Sequence, residues 1–165
     1  MANTAADSWT GVDGVAFHDC LCLKLRMSAR QVTAIYDEYL SPAGLRITQF
    51  GLLAHLVEQA GSMGVAELAA ALRMDPTTLN RNLKPLEREG LLRVAQAQND
   101  RRAKAISLTA AGADLLGRAA PLWKAAHERV TQTLGSKTAV DLAVNLDRGL
   151  ESLGQVQPSG LNSDG

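Results

Sequence analysis

Residues 65–112 read VAELAAALRMDPTTLNRNLKPLEREGLLRVAQAQNDRRAKAISLTAAG. Asp75 is a good helix N-cap, and Pro76 suits the first helical position, where its missing N–H has no partner to lose. On a wheel of about 100° per residue with Thr77 at zero, Arg81, Lys84 and Arg88 fall within about 40° of it, while Leu79, Leu83 and Leu86 gather opposite. The sequence therefore predicts a helix anchored on one face and cationic on the other. A solvated surface helix shares that pattern, so the residues that follow decide the reading. Gly90 is placed to end the helix, Leu91–Val94 and Ala105–Leu108 have strand-like apolar content, and Asn99-Asp100-Arg101-Arg102 forms a polar turn between them. Upstream, the stretch that opens at Val65 reads as a short helix before a turn.

Helix, turn, helix and a basic two-stranded tip together spell a winged helix-turn-helix, a device that fits duplex DNA. Arg81 and Lys84 are long donors for phosphates or guanine edges. Asn80 suits adenine, Thr77 or Thr78 a phosphate or a thymine methyl, and Arg88 continues the cationic face. In the wing, Arg102 can enter the minor groove with Asp100 holding its guanidinium and Arg101 beside it. The alternative there is a loop with an incidental exposed ion pair, which is worth little. Pro85 stands inside the reading helix and deletes the bond to the Arg81 carbonyl, so a bend or loosening is expected at that point.

Asp100-x-Arg102, then Leu108-Thr109 and Gly112, after a helix ending in Leu86-Glu87-x-x-Gly90-Leu91, closely resembles the MarR family of bacterial transcriptional regulators. The resemblance runs from about Phe17 to Leu153. It implies a mainly α fold with a small β-wing, a winged helix-turn-helix with N- and C-terminal dimerisation helices. It implies also a homodimeric, ligand-responsive regulator, expected to act as a repressor on a pseudo-palindromic operator in double-stranded DNA.

The rest of the chain fits that frame. It has 165 residues, 46% hydrophobic and only 4% aromatic, as suits one leucine- and alanine-rich helical domain. Net charge is zero, yet Arg73–Lys104 holds eight Lys or Arg against four Asp or Glu, net +4, leaving −4 elsewhere. Attraction to phosphate follows the local face, so this polarity suits DNA better than the total suggests. Residues 1–13 and 154–165 read as flexible ends, 14–153 as a single domain, with the winged unit at about 48–109 and dimerisation helices at about 14–40 and 109–153. Thr48 is a plausible cap for a supporting helix to about Gln59. Apolar stripes run through Leu21, Leu25, Ala29, Val32, Tyr36 and Tyr39, through Leu115, Ala119, Leu122, Ala126, Val130 and Leu134, and through Ala139, Ala143, Leu146, Leu150 and Leu153. Stripes of that length exceed what a small winged domain fills and suit packing on a second copy. No stretch approaches the ~20 apolar residues of a membrane span, and no signal segment opens the chain, so no membrane partner and a cytoplasmic location are expected.

The regulatory input is read as a small ligand, with a thiol sensor as the alternative. The resemblance implies a pocket for a small aromatic or phenolic acid effector, and the candidates are Phe17, His18, Cys22, Arg26, Arg30, His55, Leu56 and Trp123. Arg26 or Arg30 would fork onto a carboxylate, with Trp123 or Phe17 as an apolar wall; His55, on an apolar helix, reads sooner as a packed core or interface histidine than as a ligand contact. The other reading is a thiol sensor. LCLKLRMSARQVTAIY, residues 21–36, is similar to the first helix of the organic-hydroperoxide-sensing MarR branch, with Cys22 at the reactive position, Tyr36 at one partner tyrosine, and Arg26 where that branch has a second tyrosine. If both lie on a helix, Cys20 and Cys22 diverge by about 200°, so a disulfide is expected only between subunits. Against that, a buried, inert cysteine is the first expectation for Cys22. There is no phosphate loop, no nucleophile elbow and no zinc ligand spacing among three histidines and two cysteines, so neither an enzyme, a cofactor nor a metal site is expected. A structural DNA-bridging protein and a helical interaction module remain as alternatives of another class.

Overall fold

A computed structural model describes residues 19–59, 62–97 and 100–154, with backbone only at 97 and 100–103. Among the described residues the elements run in the order α1 (Leu21–Leu40), α2 (Ile47–Glu58), β1 (Ser62–Gly64), α3 (Val65–Ala71), α4 (Pro76–Arg88), β2 (Leu92–Ala97), β3 (Asp100–Leu108), α5 (Ala110–Leu134) and α6 (Ser136–Gly154). A short 3-10 turn, Ser41–Ala43, closes α1, and Gly44 reverses the chain with φ +70°. The chain divides into two compact units, residues 1–126 and 127–165.

The first unit is built on the apolar positions that periodicity predicts. Leu79, Leu83 and Leu86 on α4 are 0–2% exposed and join Leu52, Leu53 and Leu56 of α2, Leu68 of α3 and Ile106 of β3 in one cluster. Every buried side chain among the described residues is apolar. Burying leucine contributes about 1.5–3 kcal/mol each, so this knot fixes α4 against its supports.

Three details differ from the sequence reading. First, α2 is capped by Arg46 and not by Thr48: the Ile47 N–H donates to Asp37 Oδ1 (2.7 Å) and the Arg46 N–H to Gln49 Oε1 (2.9 Å). The carboxylate that caps α2 thus comes from α1, ten residues upstream. Second, the sheet has three antiparallel strands in the order β1-β3-β2, with Ile106 of β3 opposite both Met63 and Val94. Third, β3 begins at Asp100, so Asp100, Arg101 and Arg102 lie on the strand and not in the turn. A register shift at Gln96/Ala97 pairs Ala97 with Asp100 and lengthens both wing strands past the expected ends.

Pro85 leaves α4 unbroken from Pro76 to Arg88. The helix then ends by ordinary termination: the Glu89 N–H reaches the Pro85 carbonyl (3.0 Å) and the Gly90 N–H the Glu87 carbonyl (2.9 Å). Gly90 turns out of the helix at φ +72°. In the second unit, α6 carries its stripe in the open: Leu142, Leu146, Leu150 and Leu153 are 41–66% exposed.

Candidate nucleic-acid interface

The outer face of α4 forms because its start is fixed from within the sequence. Asp75 Oδ1 accepts the Thr78 N–H (2.8 Å), with Pro76 at the first position. The Thr78 hydroxyl and backbone donors hold the Asp75 carboxyl below the ordinary carboxylate range. Thr78 is thereby engaged in the cap, whereas Thr77, Asn80, Arg81, Lys84 and Arg88 are all exposed opposite the buried leucines.

Carboxylates around this face are turned onto backbone donors. Asp75 takes Thr78, Glu67 Oε2 takes the Gly64 N–H (3.2 Å) and Glu87 Oε1 takes the Val94 N–H (3.3 Å). Among the described residues none of Arg81, Lys84 and Arg88 is held in an ion pair. The result is a row of unpaired cations and amide and hydroxyl groups on a rigid helix, the arrangement that duplex phosphates and base edges require. Glu87 also ties the end of α4 to the first wing strand.

A second joint holds the wing side. The single Thr109 hydroxyl hydrogen is shared between the carbonyls of Gly90 (2.7 Å) and Leu91 (3.0 Å), and Oγ1 accepts the Gly112 N–H (3.0 Å). A Cβ on Gly112 would meet the Leu91 carbonyl oxygen at 2.0 Å. Only glycine lets the start of α5 rest on the turn that ends α4. The sequence reading quoted Thr109 and Gly112 as motif letters without seeing this contact. It also missed Arg73, whose φ of +49° makes it the lone non-glycine residue with positive φ among those described.

The geometry matches proteins of known activity. A family model described as the MarR family matches residues 43–103. The organic hydroperoxide resistance transcriptional regulator of Bacillus subtilis is 31% identical over 107 residues, covering 65% of this chain and 72% of that protein. The chain belongs to the MarR family. The crystal structure of the Mycobacterium tuberculosis transcriptional regulator MosR in complex with DNA is 39% identical, with TM-score 0.69 over 81% of this chain and 98% of that one. A mutant Escherichia coli MarR complexed with operator DNA is 25% identical, with TM-score 0.72 over 82% of this chain and 99% of that one. This MarR-family chain is a DNA-binding transcriptional regulator with a winged-helix fold, and its relatives are regulators and not enzymes. None of its described helices is long and apolar enough to cross a membrane.

The described effector candidates occupy different settings. Phe17 and His18 lie outside the described residues, as do the side chains of Asp100, Arg101 and Arg102. Leu56 is wholly buried in the core. His55 is half-buried, with Nδ1 3.9 Å from Glu58 Oε2. Trp123 lies against its own neighbours, stacked on Phe50 (5.8 Å, 7°) and tilted toward Tyr36 (6.4 Å), whose phenol burial pushes above its ordinary value. Arg26 and Arg30 are exposed on α1, one turn apart.

The cysteines need a correction. Cys20 is the N-cap of α1, with φ −59° and ψ 112°, and lies outside the helix; Cys22 is in its first turn and exposed. The helical wheel does not apply to Cys20, so the expected 200° divergence falls, and with it the ground for an exclusively intersubunit bridge. Tyr36 lies fourteen residues beyond Cys22 on the same helix, about 21 Å of rise, too far for the two to meet in one chain.

Proposed function

We propose that this regulator is a homodimer that holds a pseudo-palindromic operator as a repressor and lets go when Cys22 is oxidised by an organic hydroperoxide. The DNA half of this reading rests on the outer face of α4, where Thr77, Asn80, Arg81, Lys84 and Arg88 stand exposed over a buried leucine anchor. Thr78 supports that face from the cap, and Asp100, Arg101 and Arg102 serve as the wing contact. Two-fold pairing would set two such helices about 34 Å apart, one DNA turn.

The sensing half rests on the exposure of Cys22 in the first turn of α1. The relative named for organic hydroperoxide resistance supports it. The sulfur attacks the distal peroxide oxygen, the O–O bond breaks, the alcohol leaves with the proton, and Cys22 becomes a sulfenic acid. A second thiol, Cys20 or one from the other subunit, then forms the disulfide with loss of water. Tyr36 can assist only from the other subunit, since its own is about 21 Å away along the helix.

The test is operator release by cumene hydroperoxide, read by fluorescence anisotropy. Release should occur in the wild type and be abolished by Cys22→Ser, with Arg81→Ala weakening binding of the reduced protein. Release by an aromatic acid that survives Cys22→Ser and is weakened by Arg26→Ala or Arg30→Ala would replace the thiol reading with the ligand one. That second reading is favoured by the two exposed arginines one turn apart on α1, whose forked donors suit a carboxylate.

A further inference from the structure

The turn between α3 and α4 is strained where it need not be. The Arg73 N–H donates to the Ala70 carbonyl (3.1 Å) and the Met74 N–H to the Ala69 carbonyl (2.9 Å). These are the paired bonds of a Schellman helix stop, in which the residue at the position of Arg73 has to turn left-handed. Glycine does so freely, and the chain uses it at the other described positive-φ positions, Gly44, Gly90 and Gly135. An L side chain at φ +49° carries a backbone penalty that glycine would remove. Strain kept where so simple a relief exists points to a use for the side chain.

The surroundings say which use. Arg73 is exposed, and among the described residues no carboxylate is paired with it. Asp75, two residues on, is committed to the Thr78 N–H (2.8 Å). When a helix-turn-helix docks, the first residues of its second helix enter the major groove while the first helix crosses the sugar–phosphate backbone. The turn joining them then passes over the phosphate rail, and Arg73 is the cation on that turn. We propose that Arg73 is a phosphate clamp on the operator, a DNA contact outside both α4 and the wing that sets how α4 enters the groove. This rests on the reading of α4 as the groove-entering helix.

Arg73→Gly tests it, because the substitution removes the guanidinium and relieves the turn at once. The thermal midpoint should hold or rise while operator affinity falls about tenfold at physiological salt. The slope of log affinity against log salt should shrink by about 1.8 for the dimer, the loss of one phosphate contact in each subunit. Preference among operator variants should stay as it was, since a phosphate carries no base information. Arg73→Lys, keeping the charge, should recover most of the salt slope. Wild-type affinity and salt slope in Arg73→Gly would overturn the proposal, and so would a lowered midpoint with an unchanged slope, which would assign Arg73 to packing. Arg81→Ala run in parallel separates the failures: if Arg81→Ala weakens binding and Arg73→Gly does not, the clamp alone is wrong. If neither weakens it, the groove-entering role of α4 is wrong as well.

Discussion

At the scale of single residues, the reading helix depends on a carboxylate that is never buried. The Thr78 donors hold Asp75 below its ordinary range, so the ionised form is the one the folded state prefers. A folded-state pKa lowered in this way contributes stability above the ordinary carboxylate value, and the contribution is lost as pH falls through the lowered one. Asp75→Asn keeps a capping oxygen but cannot titrate. The gap in urea midpoint between wild type and Asp75→Asn should therefore close as the pH is taken below the carboxylate range; a gap that stays constant would mean the charge plays no part. Arg102, by contrast, is expected to act only when DNA is present. Arg102→Ala should cost operator binding about 1–3 kcal/mol and leave the circular dichroism spectrum and the melting curve unchanged. Unaltered affinity at matched salt would remove the wing arginine from the interface.

At the scale of elements, the joint between the end of α4 and the start of α5 reverses a familiar rule. Glycine to alanine inside a helix usually stabilises by about 1 kcal/mol. At Gly112 the added Cβ would sit 2.0 Å from a backbone carbonyl and 2.8 Å from Leu108 Cδ1, and neither the turn nor the buried strand end can yield cheaply. Gly112→Ala should destabilise by roughly 1–3 kcal/mol in urea unfolding, as overpacked sites do. A stabilised variant would show that α5 is not seated on Leu91. The same elements show why some of this fold was legible and some was not. The boundaries and inner face of α4 could be read because cap, proline, leucine spacing and terminal glycine all lie within sixteen residues of one another. β1 could not: Ser62–Gly64 becomes a strand only by pairing with Ala105–Ser107, more than forty residues away. Thr48 was a reasonable cap on local grounds, but Asp37 reaches the Ile47 N–H from another helix and moves the start. Arg73 was legible only as a charge, since nothing in a sequence announces that a left-handed position is filled by a residue that resists it. The two cysteines were placed on one helix because periodicity cannot say where a helix begins.

At the scale of the whole molecule, the leucines of α6 and Leu21, Leu25 and Met27 of α1 are exposed apolar surface. A second copy is the proposed cover. Each buried leucine is worth about 1.5–3 kcal/mol, so Leu146→Glu with Leu150→Glu should convert a dimer to a monomer in light scattering. Operator affinity should collapse with it, because a monomer engages one half-site. A double variant that stays dimeric would move the seam away from this stripe. One further feature gives a way to watch such changes without a label. Tryptophan occurs at positions 9 and 123 only, and the Trp123 ring lies flat on Phe50 of α2 and close to Tyr36 of α1. In a Trp9→Phe background the remaining indole becomes an intrinsic fluorophore at the junction of α1, α2 and α5. Its emission maximum and quenching by iodide would then report, in stopped flow, whether peroxide or operator alters that junction before or after the DNA is released.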